Sequence, residues 1–196
     1  MKKIAVFASH NGSDLQAVID GCKAGKIDAA VCCVISNNAD AYALQRAKDV
    51  GIDPFCINSS LYPDTDELDK VTLAILKKHG ADLILLAGYL KKIGLPVLRA
   101  YENRIYNIHP ALLPKYGGKG MYGINVHKAV IEAGEKFSGV TIHRVNAEYD
   151  SGGIVAQAKV PILPGDTPEA LAARVLEREH TFLVETLASI VNGGEL

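Results

Sequence analysis

The chain has 196 residues and a mass of 20.9 kDa, enough for one large domain that removes roughly 70% of its unfolded surface from water without a metal or disulfide staple. Apolar residues make up 48% and charged residues 22%, while 21 Lys plus Arg against 22 Asp plus Glu leave a formal net charge of -1. That is ordinary globular usage, with no basic surplus to compete for a phosphate backbone, so nucleic acid is not an expected partner. No apolar run approaches the ~18 residues of a membrane span, and the run after Met1-Lys2-Lys3 is too short for a secretory signal. The expectation is a cytoplasmic protein with a single domain over residues 1–196 and no membrane partner. Monomer and homodimer remain open.

Short apolar runs alternate with helix-period segments through the first half. Strands are expected at Ile4–Ala8, Ala30–Ile35, Pro54–Ile57 and Leu83–Ala87, with helices at Ser13–Lys23, Tyr42–Val50 and around Leu68–Leu76. In that last segment Leu68, Val71, Ile75 and Leu76 share one helical face. Strands apolar throughout and separated by helices indicate a parallel sheet covered on both faces. The layout is α/β and doubly wound.

The second half changes character. A strand is expected at Arg104–Ile108, after which Pro110, Pro114 and recurrent glycines between positions 117 and 153 mark long loops. Phe137–Arg144 and Ile154–Val160 alternate well enough to be an antiparallel pair joined across Asp150-Ser151-Gly152-Gly153. Asp166 and Glu169 stand at capping-box spacing with Pro168 in the first turn, opening a last helix that runs to Gly193-Gly194. Cys22, Cys32, Cys33 and Cys56 show no CxxC pair and no His at ligand spacing, so they read as reduced thiols. On a regular strand Cys32 and Cys33 point to opposite faces.

Three segments could carry chemistry. In the turn after the first strand, Ser13 and Gln16 have capping-box spacing, so a helix starts at Ser13 and the N–H groups of Gly12, Ser13 and Asp14 could face a phosphate. Any strand-to-helix turn needs a glycine and a cap, and the Asp14 carboxylate repels a phosphate unless it turns away, so a purely structural turn stays open. Asn107 and His109 fall on one side of a strand at its carboxyl end, where open α/β sheets bind ligands. An amide donor beside an imidazole suits an oxyanion, although a His capping the next loop has the same spacing. Asp150 before two glycines could orient a His or a water, or could be an ordinary turn residue. His127 and His143 add no HxxxH spacing, so no metal is expected, and His143 reads as a packed or supporting residue.

Asn11-Gly12-Ser13, the string Asn107-Ile108-His109-Pro110-Ala111-Leu112-Leu113-Pro114, and Asp150-Ser151-Gly152-Gly153-Ile154-Val155 together resemble the folate-dependent formyltransferases. The likeness runs from Ile4 to the last helix. It implies a Rossmann-like sheet with an antiparallel carboxyl-terminal extension. It also implies a reaction of purine biosynthesis, in which 10-formyltetrahydrofolate passes its formyl group to the amine of 5-phosphoribosylglycinamide through a tetrahedral intermediate. Carried over, Asn107 and His109 stabilise the oxyanion with His109 as general acid, and Asp150 orients His109 or raises its pKa and holds a relay water. Gly12, Ser13 and Asp14 hold the substrate phosphate and Glu179 the ribose, while Leu90, Lys91, Lys92, Ile93 and Asn107 contact the folate.

The chain departs from the family's pattern at Asp14, where Asn is familiar, and at Thr65, near a place where some members present an Arg. It departs again between Lys119 and Asn125, a longer segment in which Asn125 falls near a position that is often His. Two rivals share the catalytic string: methionyl-tRNA formyltransferase, expected to carry a tRNA-binding domain, and formyltetrahydrofolate hydrolase, expected to carry an amino-terminal regulatory domain. A catalytically silent nucleotide-binding module is the rival outside enzymology.

Overall fold

A computed structural model describes residues 1–193. In chain order the elements are β1 (Lys2–Phe7), α1 (Ser13–Lys23), β2 (Ala29–Ser36), α2 (Tyr42–Asp49), β3 (Pro54–Cys56), α3 (Thr65–Lys78), β4 (Leu83–Leu86), α4 (Leu95–Ala100), β5 (Ile105–His109), α5 (Ile124–Glu132), β6 (Phe137–Arg144), β7 (Ile154–Pro161) and α6 (Pro168–Val191). The strands form one sheet in the order β3-β2-β1-β4-β5-β6-β7. Pairing is parallel from β3 to β5, and β6 and β7 are antiparallel. The expected α/β doubly wound sheet with its antiparallel extension is therefore present. Among the described residues, no helix is long and apolar enough to cross a membrane.

Strand alternation divides the core in two. Ile4, Val6, Leu83 and Leu85 pack with α1, α2, α5 and α6 on one face, whereas Ala5, Phe7, Ile84 and Leu86 pack with α3 and α4 on the other. Because both faces of β1 and β4 are covered, these strands read as unbroken apolar runs.

The structure corrects several local expectations. Between Ile4 and Ala5 the β1–β2 register skips from Val31 to Cys33, so Cys32 is the extra residue of a β-bulge. Cys32 and Cys33 consequently both meet the α3/α4 side of the core instead of opposite faces. The N-cap of α1 is Gly12, in a left-handed conformation with no side-chain cap, and not a capping box from Ser13. In α6 the cap is Thr167, whose hydroxyl accepts from the Ala170 N–H, while Asp166 binds Arg174 and the Leu163 N–H. The helix ends at Val191, and Gly194, part of the expected stop, lies outside the described residues. Two helices are not among the expected elements: α4, with Pro96 in its first turn, in a stretch given no element, and α5, which follows Gly123 without a side-chain cap, in a stretch expected to be loop. Both are too short to show a sustained period.

Leu85 is fully buried on β4, at the centre of the sheet. Leu85→Ala should cost about 2–5 kcal/mol of unfolding free energy, read by urea denaturation as a lower midpoint at unchanged slope.

Candidate active site

Alternation along β5 places Asn107 and His109 on the side opposite Tyr106 and Ile108. Antiparallel pairing sets Asn107 across from His143 and His109 across from Thr141. After β6 the chain turns through Asp150, which has a positive φ of 52°. Gly152 then passes so close to the Arg144 carbonyl that an added Cβ would overlap its oxygen. This tight return carries the Asp150 carboxylate back over the ends of β5 and β6.

The resulting cluster is buried: His109 is 4% exposed and His143 2%. Asp150 Oδ2 lies 3.7 Å from His109 Nδ1 and accepts from the Gly118 N–H at 2.9 Å. Its Oδ1 lies 3.5 Å from His143 Nε2 and accepts from Asn107 Nδ2 at 3.3 Å. A carbonyl can only accept, so His143 Nδ1 donates to the Arg144 carbonyl at 2.9 Å, which leaves Nε2 to accept from Asn107 Nδ2 at 3.0 Å. By the same reasoning His109 Nε2 carries a hydrogen, donated to the Tyr116 carbonyl at 2.7 Å. Both N–H donors of Asn107 are thus engaged. To donate to an oxyanion, the amide must give up the longer bond, the one to Asp150.

Burial dominates the His109 pKa and lowers it from the ordinary imidazole value; Asp150 and the Tyr116 carbonyl push it up by less, and His143 adds to the lowering. The Asp150 charge thus acts in the expected direction without setting the outcome. Burial raises the Asp150 pKa, but His143, His109 and the Gly118 N–H outweigh it and hold the carboxyl below its usual range. His127, 5% exposed on α5, is also lowered by burial and by His109, and its Nδ1 has no partner.

A cavity of about 760 Å³ opens over this cluster, within the range of small-molecule sites. Leu86 and Gly88 to Ile93 after β4 line one side, and Val145 to Tyr149 after β6 the other. The sides meet where Lys92 Nζ donates to the Ala147 carbonyl at 3.1 Å and pairs with Glu148 at 3.3 Å. Of the expected site residues, Asn107, His109, Asp150, Leu90, Lys91, Lys92, Ile93, Asp14 and Glu179 line this one cavity. Gly12 and Ser13 stand in the turn beside it, between the lining residues His10 and Asp14. Thr65, exposed at the start of α3, is not part of the lining.

Sequence reasoning missed His143 as a partner of both Asn107 and Asp150, and it missed the 145–149 wall. Alternation in β6 signals that His143 faces away from Val140 and Ile142, but the cross-strand register alone puts it against Asn107.

At the other end of the cavity, Gly12 has φ 73° and would press a Cβ to 2.7 Å from Ala43 Cβ. Arg46 of α2 holds the turn, donating from Nε to the Asn11 carbonyl at 2.8 Å and from Nη2 to Asn11 Oδ1 at 2.6 Å. The first N–H groups of α1, beside Asp14, lack partners within the helix.

An amide and two imidazoles gathered round a carboxylate at the carboxyl ends of an open α/β sheet suit acyl transfer, and comparison with known proteins gives the family. The model of the formyl transferase family matches residues 2–187, so the chain belongs to that family. It is 45% identical over 190 residues to the chloroplastic phosphoribosylglycinamide formyltransferase of Arabidopsis thaliana, covering 96% of this chain and 65% of the plant protein. With the phosphoribosylglycinamide formyltransferase of Haemophilus influenzae identity is 44%, covering 92% of this chain and 82% of the relative. The crystal structure of glycinamide ribonucleotide transformylase 1 from Symbiobacterium toebii superposes with a TM-score of 0.91 at 40% identity, over 98% of this chain and 89% of the other. The chain spans about two thirds of the plant relative's length.

Removing the Asp150 charge removes the largest upward influence on His109. Asp150→Asn should therefore lower the His109 pKa further, read as an earlier loss of the imidazolium signal in an NMR titration.

Proposed function

We propose that the chain transfers the formyl group of 10-formyltetrahydrofolate to the amine of 5-phosphoribosylglycinamide, with residues 1–196 acting as one formyltransferase domain in the cytoplasm. One observation carries this reading: Asn107, His109 and Asp150 converge at the carboxyl end of β5, in the floor of a cavity with two chemically different arms. One arm is largely apolar, through Leu86, Leu90, Ile93 and Val145, and suits the flat folate ring. The other ends at Gly12, Ser13 and Asp14 at the start of α1, with Glu179 opposite, and suits a phosphate and a ribose.

In this mechanism the substrate amine attacks the formyl carbon, and the carbonyl oxygen takes on negative charge. Asn107 Nδ2 turns from Asp150 to that oxygen, and protonated His109 supplies the second donor as its Nε2–H leaves the Tyr116 carbonyl. The nitrogen that has attacked loses a proton through water held by Asp150. His109 delivers a proton to the departing folate nitrogen as the carbon–nitrogen bond breaks. His143 holds the Asn107 amide, and the neighbouring Asp150 charge favours the imidazolium while the intermediate exists.

Loss of one oxyanion donor costs about 10²–10³ in kcat. His109→Ala removes a donor and a proton source, so kcat for formyl transfer should fall by at least that much, with both ligand affinities near wild type by calorimetry. Near-normal turnover would refute the assignment.

Gly12 tests the phosphate arm. Gly12→Val puts a branched side chain in a left-handed turn, at a cost of about 1–2 kcal/mol before its clash with Ala43. It should weaken 5-phosphoribosylglycinamide binding and leave folate affinity intact. Equal loss of both affinities, at a preserved melting transition, would show that the phosphate lies elsewhere.

A further inference from the structure

Asp14 on α1 and Glu179 on α6 meet at the wall of the cavity, 8% and 7% exposed. Their carboxyls lie within hydrogen-bond reach of each other. Two ionised carboxylates do not form such a bond, since one of them must supply the hydrogen. Asp14 Oδ1 has no hydrogen-bond partner although it is fully enclosed, and His180 Nε2, also unpartnered, stands 3.5 Å from it. The two atoms face each other, so neither is satisfied unless a proton sits between them or elsewhere on the acid pair. The pair also lies where the unpaired first-turn N–H groups of α1 attract an anion, so two full negative charges there would cancel what the helix end offers.

We propose that Asp14 and Glu179 form an acid pair that holds one proton between them, and that binding of a ribose phosphate at the start of α1 is coupled to keeping that proton. The pair then presents one negative charge instead of two, and its proton can be donated to the ligand. Asp14 thereby belongs in a phosphate site that its charge alone would oppose. Both groups are displaced in the direction this requires. Burial raises the Asp14 pKa, with Glu179 and His180 partly offsetting, and burial and Asp14 together hold Glu179 well above the usual carboxylate range.

Other charged groups are few. His180 faces Asp14 from α6, His10 lines the same wall from the β1–α1 turn, and His127 lines the cavity from α5. Arg46 of α2 is committed to Asn11 and Gln16. The sign follows from like-charge repulsion. A bound phosphate dianion raises the pair's upper titration step, so affinity is fullest below that step in the free protein. Above it, affinity falls by about tenfold per pH unit while one proton is taken up on binding.

The inference rests on the ribonucleotide reading, and the test separates the two. Carbon-13 NMR of the free protein should show the Asp14 and Glu179 carboxyls titrating together in two steps, the upper one well above the ordinary carboxylate range. In Asp14→Asn, Glu179 should titrate in a single step. Independent one-step titrations in the wild-type protein overturn the pair. Calorimetry with ribose 5-phosphate, which lacks the titrating amine, in buffers of different ionisation enthalpy should show proton uptake on binding above the upper step that NMR finds in the free protein. The uptake should vanish in Asp14→Asn and in Glu179→Gln. Uptake unchanged in Asp14→Asn, or no binding by the wild-type protein, overturns the coupling. A protein that shows the pair and the coupling but no formyl transfer retains the inference and loses the reaction.

Discussion

The site depends on one topological constraint. β1 and β4 lie side by side in a parallel sheet, yet the chain leaves β1 for α1 on one face and leaves β4 for α4 on the other. A crevice opens where neighbouring connections diverge, at the carboxyl ends of the strands. The turn after β1 and the segment after β4 supply its two arms, and β5, beside β4, places Asn107 and His109 at its floor. The helices on the two faces are what make this geometry rigid, since they pin both strands from both sides.

The antiparallel end of the sheet adds what the parallel part lacks. β6 brings His143 against Asn107, and the return into β7 brings a carboxylate to a place where two N–H groups donate to it and two imidazoles stand beside it. A buried anion is tolerated only when satisfied in this way. The same carboxylate opposes the desolvation of His109 and pushes the pKa of that buried imidazole back up in part. Fold and chemistry meet in the one residue, Asp150, whose backbone is held in a left-handed turn.

Carboxylates at the two ends of the cavity behave differently for a stated reason. Asp150 has hydrogen-bond donors and imidazoles around it, and its pKa falls. Asp14 and Glu179 are more deeply buried, and burial raises both: Glu179 and His180 only partly offset it at Asp14, and Asp14 adds to it at Glu179. Neighbours, more than residue type, decide which carboxyl is an anion and which is an acid.

The sequence by itself determined the sheet and the side of β5 that carries Asn107 and His109. Unbroken apolar runs at Ile4–Ala8 and Leu83–Ala87 require burial on both faces, and a residue spacing of two puts Asn107 and His109 on one side of a strand wherever that strand lies. Such features are local, because period and polarity are carried by neighbouring residues. Pairing across the chain was decided by tertiary structure alone. The bulge that turns Cys32 and Cys33 to the same side is set by register with β1, and His143 meets Asn107 through the β5–β6 ladder. Asp14 meets Glu179 because α1 packs on α6. Those contacts join residues many positions apart, and only packing fixes which distant side chains leave water together and so which share a proton.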